Sequence, residues 1–219
     1  PVPVFDFSEV KEFPGMAANV KQNLESFGVE VDFITNNPKE LIKRRFVEKK
    51  SRHQIMREDI GHSVNPMQTP WNLDYDALVF SDYDIGLIPW DVARDLCSAF
   101  KGPIFVDSKK LDLSCYNGSI IKINQYEAEE SLCLTNDSEL IITRGSEGAE
   151  WSGIKFSAPK VDLYDVSGAG DVFLSTLVYF CRKKTDIPMA IRKAVILSTK
   201  SVSHSGTYKI TQKDIEELL

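Results

Sequence analysis

Several residues and patterns are scarce in this sequence of 219 residues, and each scarcity narrows the class of protein. The four cysteines are widely spaced and form no CxxC pair, so we expect small core residues in a protein from a reducing compartment. No apolar run approaches the roughly 20 residues of a membrane span, and no signal peptide is recognisable. We therefore expect a cytoplasmic protein with no membrane partner.

Motifs of several catalytic classes are also missing. The sequence has no Walker loop GxxxxGK[ST], no dinucleotide fingerprint GxGxxG, no metalloprotease HExxH and no GxSxG nucleophile elbow. His53, His62 and His204 lack the spacing of metal ligands. The net charge of −6 gives no support to a nucleic-acid partner. It does not exclude an anionic ligand, because phosphate sites are built from local backbone donors.

Four short apolar runs follow one another after residue 75, with segments able to form helices between them. The runs are residues 76–82, 103–107, 119–124 and 139–145, and helices are predicted at Pro89–Phe100 and Glu127–Leu134. Apolar strands that alternate with helices are typical of a parallel sheet buried on both faces. The sequence therefore predicts an α/β protein with helices on both sides of the sheet, in a single domain over residues 1–219.

The first 60 residues have a different pattern. A helix is predicted at Met16–Phe27, closed by Gly28 as its C-cap. Val29–Thr35 and Arg45–Val47 have the pattern of exposed strands, with polar and basic residues between them. Together with the opening PVPVFDF, they predict a small sheet from residues 1–13 and 29–60 that projects from the main body.

Polar residues end each of the four apolar runs. They are Ser81-Asp82, Asp107, Asn124 and Thr143-Arg144-Gly145. Ligands of open α/β sheets bind at the carboxyl ends of the strands. Any one of these residues is explained equally well as a cap or a turn residue, but all four together favour a binding site at one edge.

The segment Gly168-Ala169-Gly170-Asp171 opens an apolar helical run. A helix N-terminus that follows glycine offers unpaired N–H groups and a partial positive charge, which together hold an anion. Phosphoryl transfer needs such donors and a base that orients the attacking hydroxyl. The segment therefore predicts both parts of a phosphoryl-transfer site. The simpler explanation for Asp171 is that it complements the helix dipole, a contribution of about 0.3–1 kcal/mol.

Four segments resemble the motifs of the ribokinase-like (PfkB) carbohydrate kinases, in the order that the family has. Asp165-Val166-Ser167-Gly168-Ala169-Gly170-Asp171 resembles the signature D-T-x-G-A-G-D, and the PGMAANV of residues 14–20 resembles the first signature. Residues 124–127 resemble N-x-x-E, and residues 143–148 resemble the turn T-x-G-x-x-G. Because the matches extend over nearly the whole chain, the resemblance is specific.

The resemblance implies a ribokinase-like three-layer α/β/α fold, with a mostly parallel central sheet and a small β lid formed by residues 1–13 and 29–60. It implies a kinase that uses ATP and Mg²⁺ and transfers the γ-phosphoryl group to a sugar hydroxyl. A homodimer that forms through the lid is also implied. The expected partner is a small sugar or sugar phosphate, and neither nucleic acid nor a membrane.

The same resemblance implies a role for each matching residue. Asp171 is the expected catalytic base, and Glu127 is expected to organise Mg²⁺ through water. The expected anion site comprises Gly168, Ala169 and Gly170. The expected nucleotide site comprises Asn124, Gln125, Tyr126, Glu127, Thr143, Arg144, Gly145, Gly148 and Asp165. The expected sugar site comprises Gly15, Asn19, Asp82 and Lys109. Simpler explanations stay open for two of them, a helix cap for Asn19 and a solvated side chain for Lys109.

Within the family, the chain resembles the heptose 7-phosphate kinases most. Their opening is similar to the PVPV and PGMAANV segments. Their lid contains a K-x-R segment and a later H/N-Q…R-x-D segment, matched here by residues 43–45 and 53–59. Ser81-Asp82-Tyr83 and residues 106–109 also resemble that branch. The implied acceptor is a heptose 7-phosphate or a similar sugar phosphate, and a nucleoside or a simple hexose is the alternative.

Two departures from the family pattern affect these expectations. Met16 stands where the family usually has a second glycine beside the sugar, so its side chain is expected to reshape the pocket. The family also carries a strand before the PVPV segment, with an Asp that binds sugar hydroxyls, and the chain resembles the family without that strand. The competing hypothesis is therefore a non-catalytic, ribokinase-like nucleotide-binding protein, whereas the intact Gly-Ala-Gly-Asp segment favours a kinase.

Overall fold

The computed structural model describes residues 4, 6–37, 39–51, 53–67, 72–133, 139–183 and 185–219. The helices are α1 (Ala17–Ser26), α2 (Trp90–Ala99), α3 (Gln125–Glu130), α4 (Ala169–Arg182), α5 (Ile187–Ser201) and α6 (Gln212–Leu218). The strands are β1 (Ile42–Val47), β2 (Gln54–Ile60), β3 (Leu78–Asp82), β4 (Ile104–Ser108), β5 (Ile120–Asn124), β6 (Glu139–Thr143), β7 (Ala149–Trp151) and β8 (Ile154–Phe156). Within these ranges, no helix has the length and apolar surface of a membrane span.

Six strands form the central sheet, in the order β3-β4-β5-β6-β7-β8. The pairs from β3 to β6 are parallel, and the hairpin of β7 and β8 adds two antiparallel strands at one edge. The four predicted apolar runs are β3 to β6, so the expected parallel-rich sheet is confirmed. The hairpin escaped prediction because strands of three residues are too short for a recognisable period.

Side chains of the central strands alternate between two apolar cores, one on each face of the sheet. On β4, Ile104 and Val106 join the core that α2 covers, whereas Phe105 joins the core formed with α1, α4, α5 and α6. Burying a side chain of this size is worth about 1.5–3 kcal/mol. Because both faces carry such residues, the sheet needs helices on both sides. The predicted three-layer α/β/α fold is confirmed.

Strands β1 and β2 form a separate antiparallel sheet, here called the lid hairpin, whose register pairs Ile42 with Ile60. It contains the predicted strand at Arg45–Val47. The strand expected at Val29–Thr35 is absent, and the described residues 4 and 6–13 form no strand either. A single extended segment with no neighbour to pair with leaves its backbone groups to water, so sequence pattern alone does not make it a strand. The other residues of PVPVFDF lie outside the described residues.

Helix α2 is one residue shorter than predicted at each end, and two further predicted helices differ from the observed ones at their ends. The first is α1, which the amides of Phe27 and Gly28 close by donating to carbonyls of its last turn. The second is α3, which ends four residues before the expected Leu134, itself outside the described residues. The amide of Leu132 bonds to Leu111, and this contact draws the chain away from the helix. Cys133 there is exposed, contrary to the expected core position, whereas Cys115 is buried.

Helix α6 is held against α5 by one buried carboxylate. The side chain of Asp214 is 1% exposed and lies 2.6 Å from the ammonium of Lys200. It also accepts the hydroxyls of Thr211 and Tyr208 at 2.7 and 2.8 Å. Burial raises the pKa of Asp214, but these partners outweigh burial and lower the pKa from 3.8 to about 2. The ionised carboxylate therefore stabilises the folded chain.

Replacing Asp214 with Asn is expected to lower the free energy of unfolding by about 2 kcal/mol at neutral pH. Because folding lowers the pKa of Asp214, its contribution is present above pH 3.8 and disappears as the pH falls toward about 2. Urea titrations at several pH values measure both effects. Glu216→Gln, on an exposed position of the same helix, is the control and should change little. A loss that is equal in the two variants would contradict the assignment.

Candidate active site

The N-terminus of α4 meets the carboxyl ends of β3, β4 and β5. Gly168 caps the helix with φ 80°, and Asp171 lies in the first turn. Tyr83, directly after β3, reaches Asp171, and Lys122 of β5 lies beside Gly170. The edge that carries the polar strand ends is thus the edge at which the Gly-Ala-Gly-Asp segment lies.

Two glycines of this segment permit the close approach. A side chain at Gly168 would place its Cβ 2.7 Å from Nδ2 of Asn19, at a backbone φ that favours glycine. A Cβ at Gly170 would lie 2.9 Å from Nζ of Lys122. The backbone at Gly168 therefore favours glycine, and a side chain at either position would displace the Asn19 amide or the Lys122 ammonium from its present place.

Asp171 is a buried carboxylate with two side-chain donors. Nδ2 of Asn19 donates to Oδ2 at 2.9 Å, and the hydroxyl of Tyr83 donates to Oδ1 at 3.4 Å. Burial raises the pKa of Asp171, as does the neighbouring carboxylate of Asp107, while Asn19, Lys122 and Tyr83 lower it. The outcome is a pKa of about 6, which suits a group that takes up a proton near neutral pH.

Lys122 and Asp107 form a buried ion pair beneath the first turn of α4. Their Cα atoms are register partners on β5 and β4, and Nζ of Lys122 lies 2.6 Å from Oδ2 of Asp107. Burial lowers the pKa of Lys122, but Asp107 outweighs burial and raises it above the ordinary value. The ammonium is therefore charged, next to Gly170 and the helix N-terminus. Both features favour an anion at this point.

Asn124 and Glu127 form a reciprocal capping box at the start of α3. The Asn124 side chain accepts the amide of Glu127, and the Glu127 carboxylate accepts the amide of Asn124 at 2.8 Å. The other carboxylate oxygen lies 2.7 Å from Nζ of Lys109. Burial raises the pKa of Glu127, but these partners hold it below its ordinary value. Lys109 is thus paired with an acid, while its side chain remains 48% exposed.

The side chains around Glu127 fit Mg²⁺ only through a bridging water. Both oxygens of Glu127 already have protein partners, and the described residues contain no group of three or more side chains able to hold a metal directly. Mg²⁺ usually keeps several waters and binds through one or two carboxylates and the phosphates of a substrate. A water-mediated contact to Glu127 is therefore compatible with the structure.

Other expected nucleotide residues mainly shape the backbone. Arg144 pairs with Glu150 at 3.0 Å, and a Cβ at Gly148 would lie 1.9 Å from the carbonyl oxygen of Phe156. Two further members of this set have partners of their own, since Thr143 bonds to the carbonyl of Ile123 and Gln125 bonds to Glu129. Gly145 has a φ of 56°, and the side chain of Tyr126 is 70% exposed.

Asp165 connects two loops beside the helix start. Its carboxylate accepts the amides of Ser167 and Gly206 at 2.8 and 2.9 Å. Burial raises the pKa of Asp165, but these amides and the charge of Arg45 in the lid hairpin hold it below its ordinary value. The lid hairpin therefore presents a basic side chain toward the Gly-Ala-Gly-Asp segment.

Asp82, which was expected to face a sugar, has protein partners in this structure. Its carboxylate is buried and accepts the hydroxyl of Tyr116 at 2.6 Å and that of Ser108 at 3.3 Å. The ammonium of Lys110 lies 3.0 Å away. With these partners, Asp82 belongs to an internal network. Asn19, also expected at the sugar, bonds to the carboxylate of Asp171, and a Cβ at Gly15 would meet no atom within 4 Å.

Three residues of the site were missed as functional residues by the sequence reasoning. Lys122 was only part of an apolar run, Asp107 only a strand end and Tyr83 only part of a resemblance. A charged residue between two buried isoleucines of β5 was the available signal for Lys122. Its partner on β4 depends on strand register, which the sequence did not supply.

The family model described as pfkB family carbohydrate kinase matches residues 119–214. These residues include β5, β6 and α4 with Asp171. The bifunctional protein HldE of Nitratiruptor sp. is 28% identical over an alignment 273 residues long, which covers 99% of this chain and 59% of that protein. HldE of Campylobacter concisus is 30% identical over 167 residues, which cover 65% of this chain and 35% of that protein. The chain thus spans less than two thirds of these relatives.

Solved structures show the same fold at low sequence identity. Ribokinase from Thermotoga maritima superposes with a TM-score of 0.57 and 16% identity, covering 81% of this chain and 70% of that chain. Phosphofructokinase-2 from Escherichia coli in complex with substrates and products has a TM-score of 0.58 and 17% identity, covering 74% and 66%. The predicted ribokinase-like fold is therefore confirmed.

Met16 has a backbone conformation that glycine adopts more easily. It precedes α1 with φ 54° and ψ −136°, which agrees with the expected glycine at this position. A side chain in such a region costs on the order of 1–3 kcal/mol. The backbone at Met16 thus has a conformation that suits the glycine expected at this position.

Replacing Met16 with Gly and with Ala separates this strain from side-chain packing. Ala keeps the strain, whereas Gly removes it, so the Gly variant is expected to be more stable than the Ala variant by about 1 kcal/mol. That order reverses the usual one, in which Gly is less stable by about 0.5–1 kcal/mol. Ala18→Gly, inside α1, should show the usual order. Urea denaturation measures the free energy of unfolding of all three variants. If Met16→Ala were more stable than Met16→Gly, the proposed backbone strain would be contradicted.

Proposed function

We propose that the chain, of which residues 119–214 match the pfkB family carbohydrate kinase model, transfers the γ-phosphoryl group of ATP to a sugar hydroxyl. The observation that carries the proposal is the juxtaposition of a buried carboxylate, Asp171, with a charged ammonium, Lys122, at one helix N-terminus. One group suits the attacking hydroxyl and the other suits the phosphoryl group.

Asp171 would act on the acceptor. The sugar oxygen forms a bond to the γ-phosphorus, the bond to the β-γ bridging oxygen breaks, and ADP leaves. The proton of the sugar hydroxyl passes to a carboxylate oxygen of Asp171. Because its pKa is about 6, most of the carboxylate is ionised at neutral pH and still basic enough to accept that proton.

The anion side would stabilise the transferring group. The N–H groups in the first turn of α4 point toward an anion, and the ammonium of Lys122 lies next to Gly170. Asn124, Glu127 and the turn at residues 143–148 are proposed to bind the nucleotide, with Lys109 held by Glu127. Mg²⁺, when bound with ATP, would neutralise phosphate charge, and Glu127 would contact it through water.

A sugar phosphate is the proposed acceptor, with heptose 7-phosphate as the first candidate. The resemblance to heptose 7-phosphate kinases and the similarity to HldE proteins support it. Lys43 and Arg45 lie on one face of the lid hairpin, and Arg45 is close enough to lower the pKa of Asp165. A basic face directed at the site suits an anionic acceptor. The cytoplasm is the proposed location.

The competing hypothesis is a nucleotide-binding protein without catalysis. The ionised form of Asp171 is disfavoured by its surroundings, since a pKa of about 6 in place of 3.8 corresponds to a cost on the order of 3 kcal/mol. Costs of this kind are concentrated at functional sites. The retained carboxylate therefore favours the kinase.

Asp171→Asn is expected to lower kcat at least ~10²-fold while the affinity for ATP stays nearly unchanged. Asn can keep the contacts to Asn19 and Tyr83 but cannot take the proton. Asp186, a carboxylate that caps α5, provides the matched control, and Asp186→Asn should keep its turnover. ATP consumption is measured with a panel of sugars and sugar phosphates.

The same assay has a pH dependence with a defined sign. The base must be ionised, so kcat/KM of the unchanged chain is expected to rise as the pH increases through about 6. The substitution has a different effect on stability. Because Asn removes a carboxylate whose charged form is disfavoured by burial, Asp171→Asn should not have a lower melting temperature than the unchanged chain at neutral pH. Full turnover in this variant would refute the catalytic assignment.

The lid hairpin is proposed to form a homodimer. Its register places Ile42, Phe46, Met56 and Ile60 on one face, around the salt bridge of Arg44 and Glu58 at 2.6 Å. Three of these apolar side chains are more than a third exposed, namely Ile42, Met56 and Ile60. An apolar face on a two-stranded sheet is unstable unless a partner covers it.

Met56→Glu is expected to convert the proposed dimer into a monomer, because it introduces a charge into the covered face. Ile196→Glu is the control, since Ile196 on α5 is 46% exposed and Met56 is 44% exposed. Sedimentation velocity measures the molecular mass of both variants and of the unchanged chain. An unchanged chain that is monomeric at micromolar concentration would contradict the proposal.

A further inference from the structure

Tyr83 connects the two halves of the candidate site. Its hydroxyl donates to Oδ1 of Asp171 at 3.4 Å. The ammonium of Lys109 lies over its ring, 5.6 Å from the ring centroid, and the same ammonium lies 2.7 Å from Glu127. The contacts thus run from the acid assigned to the nucleotide side, through a lysine and an aromatic ring, to the proposed base.

We propose that Tyr83 is a positioning residue for phosphoryl transfer: its hydroxyl, held in place by Lys109 across its ring, aims the carboxylate of Asp171 at the acceptor. This inference rests on the proposed function and adds a residue to it. Tyr83 acts through Asp171 and exchanges no proton with the substrate. Its place directly after β3 is determined by the buried strand that precedes it.

The geometry explains why a second donor matters. Asn19 holds only one oxygen of Asp171, at 2.9 Å, and a carboxylate held at one oxygen can still turn about its last torsion. The hydroxyl of Tyr83 holds the other oxygen. A distance of 3.4 Å is long for this bond, and such bonds often tighten only when the substrates are bound.

The charges around this contact keep Tyr83 a donor. The charged groups near Tyr83 and Asp171 are Asp107 of β4, Lys122 of β5, Glu127 of α3 and Lys109. Asn19 of α1 donates to the carboxylate of Asp171. Burial raises the pKa of Tyr83, and the three carboxylates raise it further. The phenol therefore stays neutral and donates, while Asp171 alone changes its proton.

The test compares Tyr83→Phe with Tyr75→Phe in the full chain. Tyr75 also donates to a carboxylate, that of Asp32 at 2.7 Å, but outside the site. With ATP, Mg²⁺ and heptose 7-phosphate, ribose or fructose 6-phosphate as acceptor, Tyr83→Phe is expected to lower kcat on the order of 10-fold. KM for ATP should stay unchanged. The rise of kcat/KM with pH should move upward by about half a unit, because the carboxylate loses a donor. Tyr75→Phe should match the unchanged chain.

The outcomes separate the inference from the proposed function. If the unchanged chain transfers phosphate to none of the acceptors, the proposed function fails and the inference fails with it. If the unchanged chain is active and Tyr83→Phe behaves like Tyr75→Phe, the inference alone is overturned.

Two further measurements guard against a folding artefact. Tyr83→Gln, which keeps a donor, is used if the Phe variant melts early, and it should keep the pH rise near that of the unchanged chain. Carbon-13 NMR of the Asp171 carboxyl should show a higher pKa in Tyr83→Phe than in Tyr75→Phe, and equal values would refute the contact.

Discussion

The first turn of α4 lies against the edge of the sheet, where Gly168 and Gly170 leave room for the ends of two neighbouring side chains. A Cβ at either position would displace the amide of Asn19 or the ammonium of Lys122. This approach brings a helix N-terminus, a buried ammonium and a buried carboxylate within reach of one another. The candidate site and the packing of α4 on the sheet therefore depend on the same contact, and a change that disturbs one disturbs the other.

The charges of the site are arranged as pairs with opposite effects. Lys122 and Asp107 form an ion pair at 2.6 Å, and this pairing offsets the free-energy cost of burying an ammonium beneath the helix. Asp171 has no ion-pair partner among the described residues, and burial raises its pKa to about 6 although the donors Asn19 and Tyr83 lower it. Different surroundings thus give two neighbouring aspartates different tasks: one is paired with an ammonium, and the other is ready to accept a proton.

Polar residues of the sheet edge are divided between support and chemistry. Asp82 was expected at the sugar but bonds to Tyr116, Ser108 and Lys110 within the fold. Glu127 caps α3 and holds Lys109, and through Lys109 it contacts the ring of Tyr83. A position at the end of a strand therefore brings a residue to the site without deciding its task. The direction of the side chain decides the task, and that direction depends on which neighbours are within reach.

The sequence by itself determined the parallel sheet, its helices on both faces and the segment from Gly168 to Asp171, because strand periodicity and turn chemistry are local properties. It also predicted a strand at Arg45–Val47, but not that Val29–Thr35 would lack a strand, since strand formation requires a neighbour. Only the tertiary structure decided that Lys122 pairs with Asp107 and that Tyr83 meets Asp171. Those contacts join residues 15 and 88 positions apart, and they depend on strand register and on how a helix packs against the sheet, which no local pattern encodes.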